Sequence, residues 1–313
     1  MKKLRQYILA LLMTGTSMVS SGAQYMRDIT VAADGSGDFT TITQALEAIR
    51  AYMDYRVTVR IKNGLYQEKV IIPSWLENVD FIGEDVDKTI IRYNDYAGLD
   101  NMGTFRTYTV RVDGNHLTFK NITFDNTAGR VGQAVALHTE GSDLKFDNCR
   151  FLGNQDTMFL AGRNSQLSFD NCYVEGTTDF IFGPATAWFE NCTIHCKADS
   201  YITAASTPEN VEFGYVFKHC TVTAEPELKK VYLGRPWRPY AATSFIECEL
   251  PRQTAPAGWE NWRNPENEKT ARYSEYRNHG EGAATGERVG WIRQLSDKEA
   301  AGITRQRVLT ECK

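Results

Sequence analysis

The sequence predicts an all-β chain wound as a single-stranded parallel β-helix, with short terminal helices and external loops. Three observations predict it: an eight-residue phrase returns at coil-length intervals, the phrase alternates apolar and polar residues, and its fifth position is a turn-forming Asn in four copies. The clearest copies are Leu117–Phe124, Leu144–Phe151 and Leu167–Val174, followed more loosely by Ala187–Ile194, Tyr215–Val222 and Thr243–Leu250. Their sixth positions are Ile122, Cys149, Cys172, Cys192, Cys220 and Cys248, so the steps are 27, 23, 20, 28 and 28 residues. Each coil then buries its inward side chains against the coils above and below. A β-sandwich gives no reason for one phrase to recur at such intervals.

Taken in chain order, residues 1–23 have the layout of a signal peptide: basic Lys2, Lys3 and Arg5, a mostly apolar run from Tyr7 to Val19, and small residues through Ala23. The apolar run is broken at Thr14–Ser17 and falls short of the roughly 20 residues a membrane span needs. A mature domain of residues 24–313, secreted or periplasmic and without membrane attachment, is expected. Thr41–Arg50 has apolar residues at helical spacing and is expected to cover the open first coil, whose edge would otherwise be unpaired. Val57–Ile61 and Val79–Ile82 read as strands of earlier coils. Pro251–Gly290 shows no repeat and reads as loops packed along the outside, and Ser296–Glu299 is a capping box opening a short C-terminal helix.

A net charge of −4 argues against a nucleic-acid partner, because no basic stripe is available to neutralise phosphates. An acidic polysaccharide remains compatible, since a local cationic site serves a few carboxylates. None of the seven cysteines has the CxxC spacing of a zinc site. Cys149, Cys172 and Cys192 should form a column, which suits either a disulfide or buried thiols packed as small hydrophobes. His116, His195 and His219 lack metal-ligand spacing and read as structural. There is no GxSxG elbow for a serine nucleophile. Nothing demands a partner subunit, so a monomer is expected.

The repeat makes a prediction about chemistry. Asp156 lies seven residues after Cys149 and Asp179 seven after Cys172, so superposed coils stack the two aspartates. At a strand spacing of about 4.8 Å, two carboxylates cannot both ionise freely, and one stays protonated near neutrality. Asp179 sits in the aromatic segment Gly176–Gly183 and needs a cation, for which Arg235 in Leu233–Trp237 is the best candidate. That pairing leaves Asp156 as the protonated member. Gln155 and Gln133 can donate amide hydrogen bonds to a developing oxyanion. Asp199 also follows its cysteine, Cys192, by seven residues, but the next coil is longer and Asp199 reads as a surface acid. Trp259 and Trp262 read as packing of the outer loops before a sugar platform.

Val31–Phe39, Gly64–Glu68, Gln133–Leu137, Gln155–Thr157, Gly176–Gly183 and Leu233–Trp237, in this order, resemble the pectinesterase family, and the resemblance runs from about Val31 to Trp291. It implies a right-handed β-helix, no metal or organic cofactor, and hydrolysis of methyl esters of polygalacturonate. It further implies that Asp179 is the nucleophile and Asp156 the acid and then the base. Gln133 and Gln155 would hold the oxyanion, Arg235 would orient Asp179, and Trp237, Phe182 and Thr104 would contact the sugar. A likeness to the bacterial secreted members favours a Cys172–Cys192 pair. The sequence departs from the family at His138, where arginine commonly follows Gln133–Leu137, and at Asn154 and Met158. A lyase would want an acid cluster for Ca²⁺, and a glycosidase carboxylates spaced for a glycosidic bond; neither explains the Gln and Arg beside these acids. A binding protein that had lost the chemistry would lack an acid or the Arg.

Overall fold

The computed structural model describes residues 25–310. The expected signal peptide and Cys312 lie outside the described residues.

The described chain is a right-handed parallel β-helix of three sheets, one of eleven strands and two of seven, each ordered by sequence and paired in parallel. The eleven-stranded sheet begins at Asp28–Val31 and carries the first half of every repeated phrase, from Leu117–Lys120 through Ala242–Ile246. The phrase then turns at its fifth residue. Asn121, Asn148, Asn171 and Asn191 have φ between 49° and 56°, the left-handed region that Asn enters more readily than most residues. His219 and Glu247 take the same conformation in the next two coils (φ 52° and 53°). The stacking expected of the asparagines is partial: Asn148 donates to Asn121 Oδ1 at 2.8 Å, whereas Asn171 donates to Asp147 at 3.3 Å.

The third position of the phrase builds the core. Phe81, Phe119, Phe146, Phe169, Phe189, Phe217 and Phe245 form one stack with centroids 4.4 to 5.1 Å apart and planes within 12°. Burying each ring contributes roughly 1.5–3 kcal/mol, and stacking adds about 0.5–1.5. Beside it runs the predicted cysteine column. Cys149, Cys172, Cys192, Cys220 and Cys248 are free thiols whose Sγ–H points to the carbonyl of Phe119, Phe146, Phe169, Phe189 and Phe217 respectively, one coil back. The structure therefore has the thiol column, and Cys172 and Cys192 are not paired.

The first coil is covered as the sequence predicts, and the predicted C-terminal helix is present. The N-terminal helix, Ile42–Ala48, is capped by Thr41 and packs Ile42, Ala45 and Leu46 onto the strands Asp28–Val31 and Val70–Ile72. Glu68 accepts from the free N–H groups of Ile42 and Thr43 at 2.8 and 3.0 Å, which satisfies the helix start. At the other end the Ser296–Glu299 capping box opens Asp297–Ala301. Val308 of the following turn packs on Trp188, Val216 and Ile246, and Arg305 pairs with Asp170 on the outer face of the long sheet.

One expectation is corrected. Pro251–Gly290 is not wholly external loop: Arg272–Tyr276 pairs in parallel with Ala242–Ile246 and adds a coil. The repeat was hidden because Glu275 takes the place in register with Phe245. Its carboxylate is buried with Arg288 at 2.9 Å and accepts from Trp259 Nε1 at 2.9 Å, so a polar cluster replaces the phenylalanine. Trp259, expected to pack within the outer loops, is buried in the main core instead.

Candidate active site

The site grows from one seven-stranded sheet, whose strands include Leu137–Thr139, Met158–Leu160, Ile181–Gly183, Tyr201–Ala205 and Tyr232–Gly234. Met158 is in register with Ile181, and Ile181 with Thr203. Two residues earlier, Asp156, Asp179 and Tyr201 therefore share one row across three coils. Backbone bonds run through that row, from Asp156 N to Thr178 O and from Asp179 N to Tyr201 O. Both aspartates have positive φ, 65° and 50°, at the turns that lead into their strands.

A cleft of about 250 Å³ opens over this row. Asp156, Asp179, Gln133, Gln155, Arg235, Trp237, Phe182 and Thr104, all eight residues predicted from sequence, line it. Gln133 and Gln155 face each other as a parallel bridge between neighbouring coils, and their side-chain amides have no protein partner among the described residues. Thr104 arrives on the turn Thr104–Arg106, which Lys69 ties down by donating to Arg106 O at 2.6 Å and Asp95 at 2.5 Å.

Arg235 grips Asp179 with two parallel bonds, Nε to Oδ1 at 3.0 Å and Nη2 to Oδ2 at 2.7 Å. This is the fork geometry that makes arginine a strong carboxylate partner. Its guanidinium is held between two rings, Tyr201 at 3.9 Å and Trp262 at 3.8 Å. Both carboxylates are nearly buried. Burial raises Asp156 to about 8, with the Asp179 charge adding to the push and Arg235 opposing it. Burial also raises Asp179, but the Arg235 hydrogen bonds and charge work against that rise. Only Asp179 has the guanidinium, so the pair loses its first proton from Asp179 and keeps the second on Asp156.

An aromatic floor extends from the pair. Phe105 stacks on Phe159 at 4.8 Å, Phe159 on Phe182 at 4.6 Å, and Trp237 meets Phe182 edge-on at 5.9 Å. Sequence reading missed Tyr201, Trp262 and Phe105. Tyr201 follows Asp179 by 22 residues, close to the 23 that separate the aspartates, and that spacing was the available signal. Trp262, read as loop packing, instead covers Arg235. His138, the family departure, lies outside the cleft: it is buried, meets Glu140 at 3.0 Å and packs on Phe159 at 4.8 Å. Asp199 is a surface acid as expected, accepting from the backbone N–H groups of Lys229 and Lys230. His116, His195 and His219 each meet a neighbouring carboxylate.

Residues 28–311 match the family model described as Pectinesterase. The chain is 37% identical over 285 residues to pectinesterase 31 of Arabidopsis thaliana, covering 88% of this chain and 89% of that one. It is 38% identical to the probable pectinesterase/pectinesterase inhibitor 21 of the same plant, of which it spans 46%. Among solved structures, carrot pectin methylesterase superposes with a TM-score of 0.85 at 34% identity, covering 90% of this chain and 92% of that one. The pectin methylesterase of Erwinia chrysanthemi superposes with a TM-score of 0.78 at 26% identity, covering 92% and 98%.

Proposed function

The chain belongs to the pectinesterase family, and we propose from this and from the cleft geometry that Asp179 and Asp156 divide its ester hydrolysis between them as nucleophile and acid/base. The enzyme is a carboxylic ester hydrolase acting on the methyl esters of polygalacturonate, and it releases methanol and acidic pectin.

In the first half-reaction an Asp179 oxygen attacks the ester carbonyl carbon. The carbonyl oxygen gathers negative charge and takes hydrogen bonds from the Gln133 and Gln155 amides. As the tetrahedral centre collapses, the bond to methoxide breaks and Asp156 gives its proton to the departing oxygen, so methanol leaves and an acyl anhydride remains on Asp179. In the second half Asp156, now a carboxylate, takes a proton from water. The resulting hydroxide attacks the acyl carbon, Asp179 departs as carboxylate, and Asp156 is again protonated. Arg235 keeps Asp179 ionised and aimed, while Trp237, Phe182 and Thr104 form the wall for the sugar. No step calls for a metal or organic cofactor.

The observation that carries this assignment is the asymmetry of the row: two carboxylates are stacked and buried, and a guanidinium is bonded to only one of them. Methanol release from highly esterified pectin tests it. Release by the wild type, with loss in Asp179→Ala and Asp156→Ala, is expected. Unsaturated sugar ends in place of methanol would point to a lyase.

Family membership supports an extracellular site of action, and the proposal extends to export through cleavage near Gln24 and to action as a monomer. N-terminal sequencing of secreted material and sedimentation test these points. Among the described residues no helix is long and apolar enough to cross a membrane. The bacterial affinity expected from sequence gains no support, since identity is 37% and 38% with two plant relatives and 26% with the Erwinia enzyme.

A further inference from the structure

The amides of Gln133 and Gln155 have no protein partner among the described residues, so their aim is set by the backbone segments that carry them. Neither segment is a regular strand. Gln133 ends the stretch 127–132, which follows the strand Thr123–Asn126 and contains Gly129 and Gly132 at φ 84° and 113°. Gln155 lies in the turn 153–157, between Arg150–Leu152 and Met158–Leu160. Two amides that must meet one oxyanion have to be held within about 0.5 Å, and irregular segments do this only with outside anchors.

One residue anchors both. Lys197 follows the strand Thr193–Cys196, which lies two places from Arg150–Leu152 and three from Thr123–Asn126 in the other seven-stranded sheet. Its ammonium reaches back across the intervening coil and donates to Gly153 O at 2.8 Å, two residues before Gln155. On that path it also meets Glu175 Oε1 at 2.7 Å. Both side chains are only 21% exposed, so the pair is screened less than one on the surface. The Lys197 carbonyl accepts from Arg130 Nη2 at 2.8 Å, three residues before Gln133. Its own N–H donates to Gly176 O at 2.8 Å, which fixes the anchor to the coil of Asp179. Bonds from Thr157 Oγ1 and Thr177 N to Asn154 O complete the hold on the Gln155 turn.

We propose that Lys197 is a positioning residue for the ester hydrolysis: its ammonium holds the Gln155 turn, and its carbonyl, through Arg130, holds the Gln133 loop. This rests on the oxyanion role given to the two glutamines above. The amides are used most where negative charge gathers on the carbonyl oxygen, so the anchor acts on kcat more than on KM.

The test is a pair of double-mutant cycles, read as kcat and KM for methanol release from esterified pectin, with circular dichroism establishing that each variant is folded. Lys197→Met keeps the aliphatic stem and removes the ammonium. Its kcat should fall about tenfold with KM within about twofold, because losing one oxyanion donor costs about 10²–10³-fold and misplacing it costs part of that. In a Gln155→Ala background the same substitution should change kcat by less than about twofold, since the group it positions is already gone. Lys197→Arg restores a cationic donor and should recover most of the loss. Arg130→Ala, at an exposed position, runs the second cycle against Gln133→Ala, with a loss of about threefold alone and almost none in that background. A folded Lys197→Met within about twofold of the wild-type kcat, or an equal loss with and without Gln155, overturns the proposal. If Lys197→Met does not fold, an equal loss from Arg130→Ala with and without Gln133 overturns it. Absence of methanol from the wild type, or an unaltered kcat in both Gln155→Ala and Gln133→Ala, would instead overturn the reading of the cleft, so the two failures are distinct.

Discussion

Arg235 is bonded to Asp179 through two nitrogens at 3.0 and 2.7 Å, while Asp156, one coil away in the same row, has no cation of its own. In the proposed mechanism that inequality sets two chemically identical side chains apart as nucleophile and acid.

Removing the guanidinium should equalise them. In Arg235→Gln, Asp179 keeps its burial and loses the charge that opposes the rise of its pKa. The acid limb of the pH–kcat/KM profile, set by ionisation of Asp179, should move to higher pH, and kcat should fall about 10²–10³-fold. A profile that stayed in place would separate Arg235 from the ionisation of Asp179.

Asp156 carries a cost in stability that depends on pH. Its carboxyl is raised from the ordinary 3.8 to about 8. Between those values the folded chain holds a proton that the unfolded chain has released, so stability falls as pH rises through this window. Asp156→Asn cannot ionise, and its gain over wild type should grow from little near pH 4 to the order of a few kcal/mol near pH 8. Thermal melts across this range read the difference, and equal slopes in both proteins would count against a protonated Asp156.

Trp262 covers one face of Arg235 and Tyr201 the other. Trp262→Ala should lower kcat about tenfold, since an exposed to partly desolvated cation–π contact contributes roughly 0.5–2 kcal/mol. Trp262→Phe should recover most of it. Equal losses in both variants would mean that the indole acts on the sugar and not on the guanidinium.

The core ladder predicts a purely structural effect. Phe169 is fully buried between Phe146 and Phe189. Phe169→Ala should cost about 3–5 kcal/mol in chemical denaturation, with the per-molecule activity of the folded fraction retained. A loss under about 1 kcal/mol would mean that neighbouring coils collapse into the gap.

Much of this was legible because a β-helix writes its register into the chain. Phe and Cys return at fixed positions in each phrase, and the seven-residue offset from Cys149 to Asp156 and from Cys172 to Asp179 carried that register into the cleft. Where spacing changed, legibility was lost. Tyr201 reaches the row from a turn of different length, so the offset from Cys192 pointed to Asp199 instead. Trp262 comes from a segment whose approach to Arg235 is set by Glu260, which accepts from the backbone N–H groups of Trp262 and Arg263. The added coil at Arg272–Tyr276 escaped notice because Glu275, neutralised by Arg288, does not look like a core residue until its partner is seen.

The most direct test of the central claim, that Asp179 is the attacking group, is the initial rate of methanol release by Asp179→Asn, with circular dichroism establishing that it is folded. A fall of about 10⁴-fold or more is expected, because the amide leaves the cleft intact without a carboxylate to form the acyl intermediate. A folded Asp179→Asn within about tenfold of the wild-type rate would contradict it and move the nucleophile elsewhere.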